Sequence, residues 1–229
     1  EADIWRLSDD QGRSYEATAI VLAGGMETLK LSGFSALGLQ ANRGQISFLD
    51  PSRTSQRLAA AITFGGYLTP PLAGRHVLGA TFDREPQWAN GDWTEIREES
   101  HTRNLKSLML RVPAIKETLG AASGGWTGLR ATTSDRFPVL GPVPETIMFK
   151  AALSSLREGQ KLEKFHMPIH KIGLYVLSGL GARGFLTAPL AGRVLVSQMF
   201  GQPLPIPVQF LAAVNPGRFL MRAMKRERD

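Results

Sequence analysis

Residues 179–192, "GLGARGFLTAPLAG", place Gly179, Gly181, Arg183 and Gly184 between an apolar run and a long helix-like segment. The preceding run, residues 174–177, predicts a strand, and residues 187–199 predict a helix. A glycine turn between a strand and a helix can bind anions or polar oxygens, because the first amides of the helix lack intrahelical partners. This stretch therefore predicts a strand–turn–helix unit of an α/β layer, with a turn that could face an anion or a polar oxygen.

The spacing of the three glycines matches the G-x-G-x-x-G fingerprint of dinucleotide-binding turns. Its place near the end of the chain argues against that function, since no βαβ unit with an acidic residue about twenty positions on follows it. From the residues alone, a structural turn and a ligand-facing helix start stay equally open. The adjacent Arg183 favours a ligand.

The N-terminal segment predicts two short strands around an Asp-Asp-Gln-Gly turn at 9–12, followed by an apolar run at 19–23. A run that is apolar on both faces predicts a strand covered on both sides of a sheet. Gly24 and Gly25 end it and would let a ligand approach the backbone at the carboxyl end of the strand.

The middle of the chain has a different pattern. Residues 62–83, "ITFGGYLTPPLAGRHVLGATFD", contain short β-rich runs broken by Gly and Pro, which is typical of an antiparallel meander. Helical spacing follows around Leu105 and Leu108, interrupted by Pro113 and stopped by Gly120. We therefore predict an α/β (α+β) chain in which an antiparallel domain, 36–124, interrupts a layer made of 1–35 and 125–229.

Composition excludes several classes of site. The 229 residues include no cysteine, so disulfides, thiolate zinc sites and iron–sulfur clusters are excluded, and we expect a reducing cytoplasm. No apolar stretch approaches the ~18 residues that span a bilayer. His166 and His170 are four apart, but Pro168 lies between them and disfavours one helix face. We expect no metal.

The charge balance points to polyanions. Lys and Arg number 27 against 20 Asp and Glu, a net charge of +7, which favours phosphate-rich partners. Part of the excess lies in residues 218–229, "RFLMRAMKRERD". Two interpretations of that cluster stay open: a solvated helix end and a polyanion-facing tail.

Five segments, in order, resemble the D-amino-acid-oxidase-like FAD oxidoreductases, the class of glycine and sarcosine oxidases. They are "AIVLAGG" (19–25), "RGQIS" (43–47), "GYLTPPLAGRHVLGATFD" (66–83), "GLRATTSDRFPVLGPVP" (128–144) and "GLGARGFLTAPLAG" (179–192). The longer stretch 179–207, with "AVNPGRFLMR" (213–222), is similar to the FAD-dependent half of bifunctional proteins that modify the tRNA wobble uridine.

The resemblance implies a Rossmann-like FAD-binding layer interrupted by an antiparallel substrate domain. In that family the βαβ unit that binds the FAD pyrophosphate precedes the segment at 19–25, whereas here only a strand hairpin precedes it. We therefore expect the chain to begin part-way through a longer protein, with a layer that is incomplete at its N-terminus. The turn at 179–184 then belongs to the flavin-ring end of the family's site.

The same resemblance implies a reaction and partners. The cofactor would be FAD, and the reaction would remove the carboxymethyl group from 5-carboxymethylaminomethyl-2-thiouridine of tRNA, giving 5-aminomethyl-2-thiouridine. The partners would be the tRNA itself and a methyltransferase domain in the parent protein. Two alternatives stay open: a glycine- or sarcosine-type amino-acid oxidase of the same fold, and an inactive fragment that cannot hold FAD alone.

The resemblance also assigns candidate residues. Arg130 would bind the substrate carboxylate, since a guanidinium fork suits a bidentate carboxylate. Tyr67 matches a position that helps to hold the same carboxylate, and Arg183 would lie beside the flavin or the substrate. The predicted cofactor-binding residues are Gly24, Gly25, Arg43, Gly44, Gln45, Gly179, Leu180, Gly181, Ala182, Arg183, Gly184 and Phe185. Asp135 and Arg136 are predicted to brace their loop as an ion pair.

Overall fold

A computed structural model describes residues 4–31, 33–84, 92–154 and 170–226. The strands are β1 (Trp5–Ser8), β2 (Ser14–Ala17), β3 (Ile20–Leu22), β4 (Leu39–Pro51), β5 (Ile62–Thr63), β6 (Tyr67–Leu68), β7 (His76–Gly79), β8 (Asp83–Arg84), β9 (Leu119–Thr133), β10 (Val139–Pro144) and β11 (His170–Ser178). The α-helices are α1 (Glu98–Arg111), α2 (Thr146–Leu153), α3 (Gly184–Phe200), α4 (Leu211–Val214) and α5 (Arg218–Arg226). Shorter 3₁₀ turns link several of these elements. None of the described helices is both long and apolar enough to cross a membrane.

The chain forms two compact units: unit 1 is Glu1–Gln40 with Ala131–Asp229, and unit 2 is Ala41–Arg130. The sequence places the boundaries a few residues earlier, at 36 and 124. Both observed boundaries fall inside long continuous strands, β4 and β9. A strand that runs from one unit into the next has no Gly or Pro signal at the crossing point, which is why the pattern places it imprecisely.

Unit 1 contains the β1–β2 hairpin and a three-stranded sheet in the order β10-β11-β3. Strands β11 and β3 are parallel, with Val176 opposite Leu22, and β10 is antiparallel to β11. Alternate residues of β11, Leu174 and Val176, enter a core that also includes Val139 of β10. The prediction that β3 is covered on both faces is wrong for the described residues, since Val21 is 39% exposed.

Helix α3 follows the glycine turn, as predicted, but begins three residues earlier than the pattern indicates, at Gly184. Gly184 and Pro189 are weak helix formers, so periodicity alone does not reveal the first turns. The predicted end of the helix at Gly201 is confirmed. Gly201 adopts a left-handed conformation with φ 63°, which is unfavourable for residues that have a Cβ.

Unit 2 is the predicted antiparallel meander. Its strands are ordered β5-β6-β7-β4-β8, with β9 also paired to β4. Leu49, Leu68 and Leu78 from three of these strands pack with Leu108 of α1 and are essentially inaccessible to solvent. Antiparallel neighbours with alternating inward side chains explain why the short β-rich runs were recognisable in the sequence.

Gly173 in β11 provides a test of the unit 1 sheet. Its φ is +70°, and a Cβ there would overlap the Thr18 carbonyl oxygen, whereas Gly201 has a similar φ with no neighbouring atom within 4 Å. Gly173→Ala should therefore cost both conformational strain and overpacking, about 2 to 4 kcal/mol of unfolding free energy, and Gly201→Ala only about 1 kcal/mol. Urea unfolding of both variants measures the difference; equal losses would contradict the packing argument.

Candidate functional site

The two predicted glycine segments of unit 1 meet at one edge of its sheet. Strands β3 and β11 are parallel, so their carboxyl ends lie at the same edge, where Gly24 and Gly25 follow β3 and residues 179–184 follow β11. The Ser178 hydroxyl donates to the Gly25 carbonyl oxygen at 3.3 Å and joins the two turns. In open α/β sheets, ligands bind outside the carboxyl ends of the strands.

The backbone at this edge is open at Gly25 and Gly181, whereas Gly179 is buried and a Cβ there would lie 3.0 Å from the Thr133 methyl group. Gly25, Gly179 and Gly181 all have positive φ, between 59° and 69°, a conformation that favours glycine. A Cβ at Gly25 would meet nothing within 4 Å, and one at Gly181 would meet only the Thr132 methyl at 3.7 Å. The open backbone leaves room for a flat ring system to approach closely, so this edge fits the flavin that the sequence predicts.

The remaining predicted residues of this edge differ in their contacts and exposure. Leu180 packs against an apolar cluster, while Ala182 is exposed and Gly184 is the first residue of α3. The Phe185 side chain is fully exposed. Arg183 is also exposed, and no carboxylate pairs with it within the described part of the chain. It lies in unit 1, and its role beside a substrate stays a prediction.

In unit 2, Arg130 lies on β9 as a partly buried cation. Its Nη1 donates to the Thr81 carbonyl oxygen at 3.1 Å, and its Cζ lies 5.8 Å from the centre of the Phe82 ring. No carboxylate oxygen of the described residues lies within 4.0 Å of the guanidinium. Burial lowers the pKa of Arg130 from its usual value, and the negative charge of Asp83 offsets only part of that shift. A guanidinium stays protonated at neutral pH, so this cation is available to an external anion.

Tyr67 belongs to the same neighbourhood. It lies on β6 opposite Gly79 of β7 and is 37% exposed. Sequence reasoning assigned both residues to a substrate carboxylate, and both lie beside the segment 79–81 of unit 2, Tyr67 against Gly79 and Arg130 on the Thr81 carbonyl. Their contact with a carboxylate stays a prediction.

The neighbours of Arg130, Thr81 and Phe82, were missed by sequence reasoning. Both lie at the end of the quoted segment 66–83, but nothing in their spacing indicates a contact with residue 130. Asp83 next to them is engaged elsewhere, because Arg103 binds it through two nitrogens at 2.6 and 2.9 Å.

The side chains of Arg43 and Gln45, predicted to bind the cofactor, are fully buried inside unit 2. Arg43 donates to the Trp93 carbonyl oxygen at 3.0 Å, to Gln45 Oε1 at 3.0 Å and to the Glu95 carbonyl oxygen. The Gln45 amide exchanges two hydrogen bonds of 2.9 Å with the backbone of Arg97. A buried charge needs partners of this kind, so these side chains brace unit 2 and do not reach outward.

The predicted ion pair between Asp135 and Arg136 is wrong. Asp135 instead accepts from Arg218 Nε and Nη2 at 2.9 and 3.1 Å and from Arg222 Nη1 at 2.5 Å. Burial alone would raise the pKa of Asp135, but the hydrogen bonds from both arginines outweigh it and hold that pKa far below its usual value. Partners more than eighty residues away give no local sequence signal.

This pairing also changes the interpretation of the basic cluster at 218–229. Arg218 is 3% exposed and serves as a structural cation of unit 1, which neither of the two sequence interpretations includes. Lys225 and Arg226 are exposed on α5, while Arg228, like His166, lies outside the described residues. In the part of the chain that the structure describes, no three His, Asp or Glu side chains are grouped to hold a metal ion.

Residues 1–198 match the family model of the FAD dependent oxidoreductases (DAO), and the chain belongs to this family. The proteins that this family model describes are oxidoreductases that use FAD. Among solved structures, glycine oxidase from Bacillus cereus is 25% identical with a TM-score of 0.60, over 90% of this chain and 47% of that one. Glycine oxidase from Geobacillus kaustophilus, 21% identical, shares the fold with a TM-score of 0.65, over 95% of this chain and 51% of that one.

Curated relatives add a more particular likeness. The chain is similar to the tRNA 5-methylaminomethyl-2-thiouridine biosynthesis bifunctional protein MnmC of Chromobacterium violaceum, 33% identical over 98% of this chain and 34% of that protein. The protein of the same name from Magnetococcus marinus is 31% identical over 97% of this chain and 34% of its own length. The chain thus spans about a third of the curated relatives that it matches.

Proposed function

We propose that this chain removes the carboxymethyl group from 5-carboxymethylaminomethyl-2-thiouridine at the tRNA wobble position, leaving 5-aminomethyl-2-thiouridine. The observation that carries the proposal is Arg130, a partly buried cation without a carboxylate partner among the described residues. A substrate whose reacting carbon bears a carboxylate supplies that partner. The names of the curated relatives support a substrate on tRNA.

The residues of unit 2 would bind and orient the substrate. The Arg130 guanidinium donates two parallel hydrogen bonds to the carboxylate, and the Tyr67 hydroxyl donates a third. Fixing the carboxylate also fixes the CH2 beside it, which is the carbon to be oxidised. The rate gain from these contacts comes mainly from orientation, because a CH2 group that is fixed by its carboxylate is already in the reactive geometry.

The glycine edge of unit 1 would hold the cofactor through Gly24, Gly25 and the backbone of residues 179–185. FAD, when bound there, accepts the two electrons of the C–N oxidation. The substrate is left as an imine, which water hydrolyses to the aminomethyl nucleoside and glyoxylate. Carbon and nitrogen balance, since the two carbons of the carboxymethyl group leave together as glyoxylate.

Charge supports a nucleic-acid partner. The net charge of +7 favours a phosphate-rich substrate through counterion release, and Lys225 and Arg226 are exposed cations on α5. A methyltransferase domain in the parent protein would consume the primary amine that this reaction produces. Such a pair of activities accords with relatives that are called bifunctional.

A second candidate is an oxidase of free amino acids. The likeness to glycine oxidase from Bacillus cereus favours it, because the unpaired Arg130 could bind the carboxylate of glycine or N-methylglycine equally well. A third hypothesis is an inactive fragment that does not hold FAD.

One experiment separates the three. Purified protein with FAD and oxygen is incubated with tRNA that carries the carboxymethylaminomethyl nucleoside, and the nucleosides are analysed by mass spectrometry. We expect conversion to the aminomethyl nucleoside. Oxygen uptake with N-methylglycine and none with the tRNA would favour the amino-acid oxidase. A protein that binds no flavin when FAD is added, and that gives no conversion, is the inactive fragment.

A further inference from the structure

Gly44 lies directly beneath the Arg130 guanidinium, within unit 2. A Cβ built at Gly44 would overlap Nη1, Cζ and Nη2 of Arg130. The φ of Gly44 lies outside the left-handed region, so its backbone suits any residue. The lack of a side chain at this position is therefore explained by the space that Arg130 occupies, and not by the path of the chain.

The same short segment also fixes the hydrogen-bond acceptor of Arg130. Thr81, whose carbonyl accepts from Arg130 Nη1 at 3.1 Å, donates its own backbone N–H to the Gln45 carbonyl at 3.1 Å. In return, the Gln45 N–H donates to Thr81 Oγ1 at 2.9 Å. Gln45 follows Gly44 in β4, so one strand supplies both the space for the guanidinium and the support for its acceptor.

Among the described residues, the guanidinium contacts neutral groups: the Thr81 carbonyl, the Phe82 ring and the backbone of Gly44. The nearby carboxylate of Asp83 is bound by Arg103. Neutral contacts orient a cation but leave its charge for a ligand, whereas a carboxylate would neutralise it.

We propose that Gly44 is a positioning residue for carboxylate binding. Without a side chain it lets the Arg130 guanidinium lie against β4 with Nη1 on Thr81, and this sets the direction of the N–H groups that a substrate carboxylate meets. The proposal rests on the function proposed above, in which Arg130 binds that carboxylate.

The test compares Gly44→Ala with Gly120→Ala, a matched change in β9 where a Cβ meets no atom within 4 Å. The full chain is used with FAD added, and N-methylglycine is the probe. Binding is measured from the rise in Tm with probe concentration, and KM and kcat are measured in parallel on the tRNA substrate. Gly44→Ala should weaken probe binding and raise KM about 10-fold, and Gly120→Ala should change neither. The Tm without probe should stay close to that of the unaltered protein, because the end of a flexible arginine can move aside.

A double variant shows whether Gly44 acts through Arg130. Adding Gly44→Ala to Arg130→Ala should change probe binding no further, because the atoms that the new methyl group displaces are absent. Unchanged probe binding by Gly44→Ala, where Arg130→Ala weakens it, would overturn this inference and leave the proposed function standing. A fall in Tm that Arg130→Ala does not relieve would also overturn it, since Gly44 would then serve the fold. If Arg130→Ala itself leaves probe binding unchanged, Arg130 does not bind the carboxylate, and the proposed function is contradicted.

Discussion

Replacing Arg130 by alanine should lower kcat/KM about 100-fold, the effect of losing hydrogen bonds between charged groups worth roughly 1.5 to 3 kcal/mol. The loss should appear in KM as well as in kcat, because the guanidinium binds the carboxylate in the free substrate and orients the CH2 beside it. Arg130→Lys should recover only part of the loss, since an ammonium group offers a point charge and not a planar fork.

The matched control is Arg75→Ala. Arg75 is an exposed arginine of unit 2 that also lies over an aromatic ring, with its Cζ 5.0 Å from the centre of Phe48. Its loss should leave both kinetic constants unchanged. Steady-state kinetics on the tRNA substrate measure all three variants, with Tm as a check on folding. An Arg130→Ala protein that keeps its KM and kcat would show that another group binds the carboxylate.

The second large effect concerns stability. Asp135→Ala should lower the free energy of unfolding by about 3 to 5 kcal/mol, because it leaves the Arg218 cation, 3% exposed, without its carboxylate. Asp10→Ala, a change in the exposed β1–β2 turn, should cost less than about 0.5 kcal/mol. Urea unfolding measures both variants.

Two further results would show that the loss of stability comes from the unpaired Arg218 charge. Combining Asp135→Ala with Arg218→Met should restore part of the stability, because the buried charge is then gone as well. The unaltered protein should lose stability below about pH 5, and Asp135→Ala should lose less over the same range. The sign follows from the lowered pKa of Asp135: the unfolded carboxylate takes up a proton first, so acid favours the unfolded state. A variant as stable as the unaltered protein would contradict the role of this pair.

Some elements were predictable because their signals are local. The part of β11 at 174–177, the glycine turn and α3 from residue 187 to its end before Gly201 follow from apolar periodicity and glycine positions within one short stretch. The antiparallel meander of unit 2 was predictable for the same reason, since β5, β6 and β7 each end at a Gly or Pro or within two residues of one. The boundaries between the units were not, because β4 and β9 cross them without a break.

The residues of the candidate site also fall into those that the sequence indicated and those that it did not. Arg130 and Tyr67 were predicted from the family resemblance of their motifs, and the glycines of both turns from theirs, and the role of each stays a prediction. The neutral contacts that Thr81 and Phe82 make with Arg130, the burial of Arg43 and Gln45, and the pairing of Asp135 with Arg218 were not visible in the sequence. Each depends on residues at least thirty-five positions apart, a separation at which side-chain spacing carries no information.

The sequence by itself determined the class of this protein, because the glycine turn at 179–184 and four other segments occur in the order typical of FAD oxidoreductases. It also determined that cysteine chemistry is excluded. Only the tertiary structure decided which charges are available. Arg43, Arg130 and Arg218 look alike in the sequence, but Arg43 is enclosed by backbone carbonyls with the Asp83 carboxylate 3.6 Å away, and Arg218 is neutralised by Asp135. Arg130 meets only neutral groups among the described residues, so it keeps its charge for a ligand.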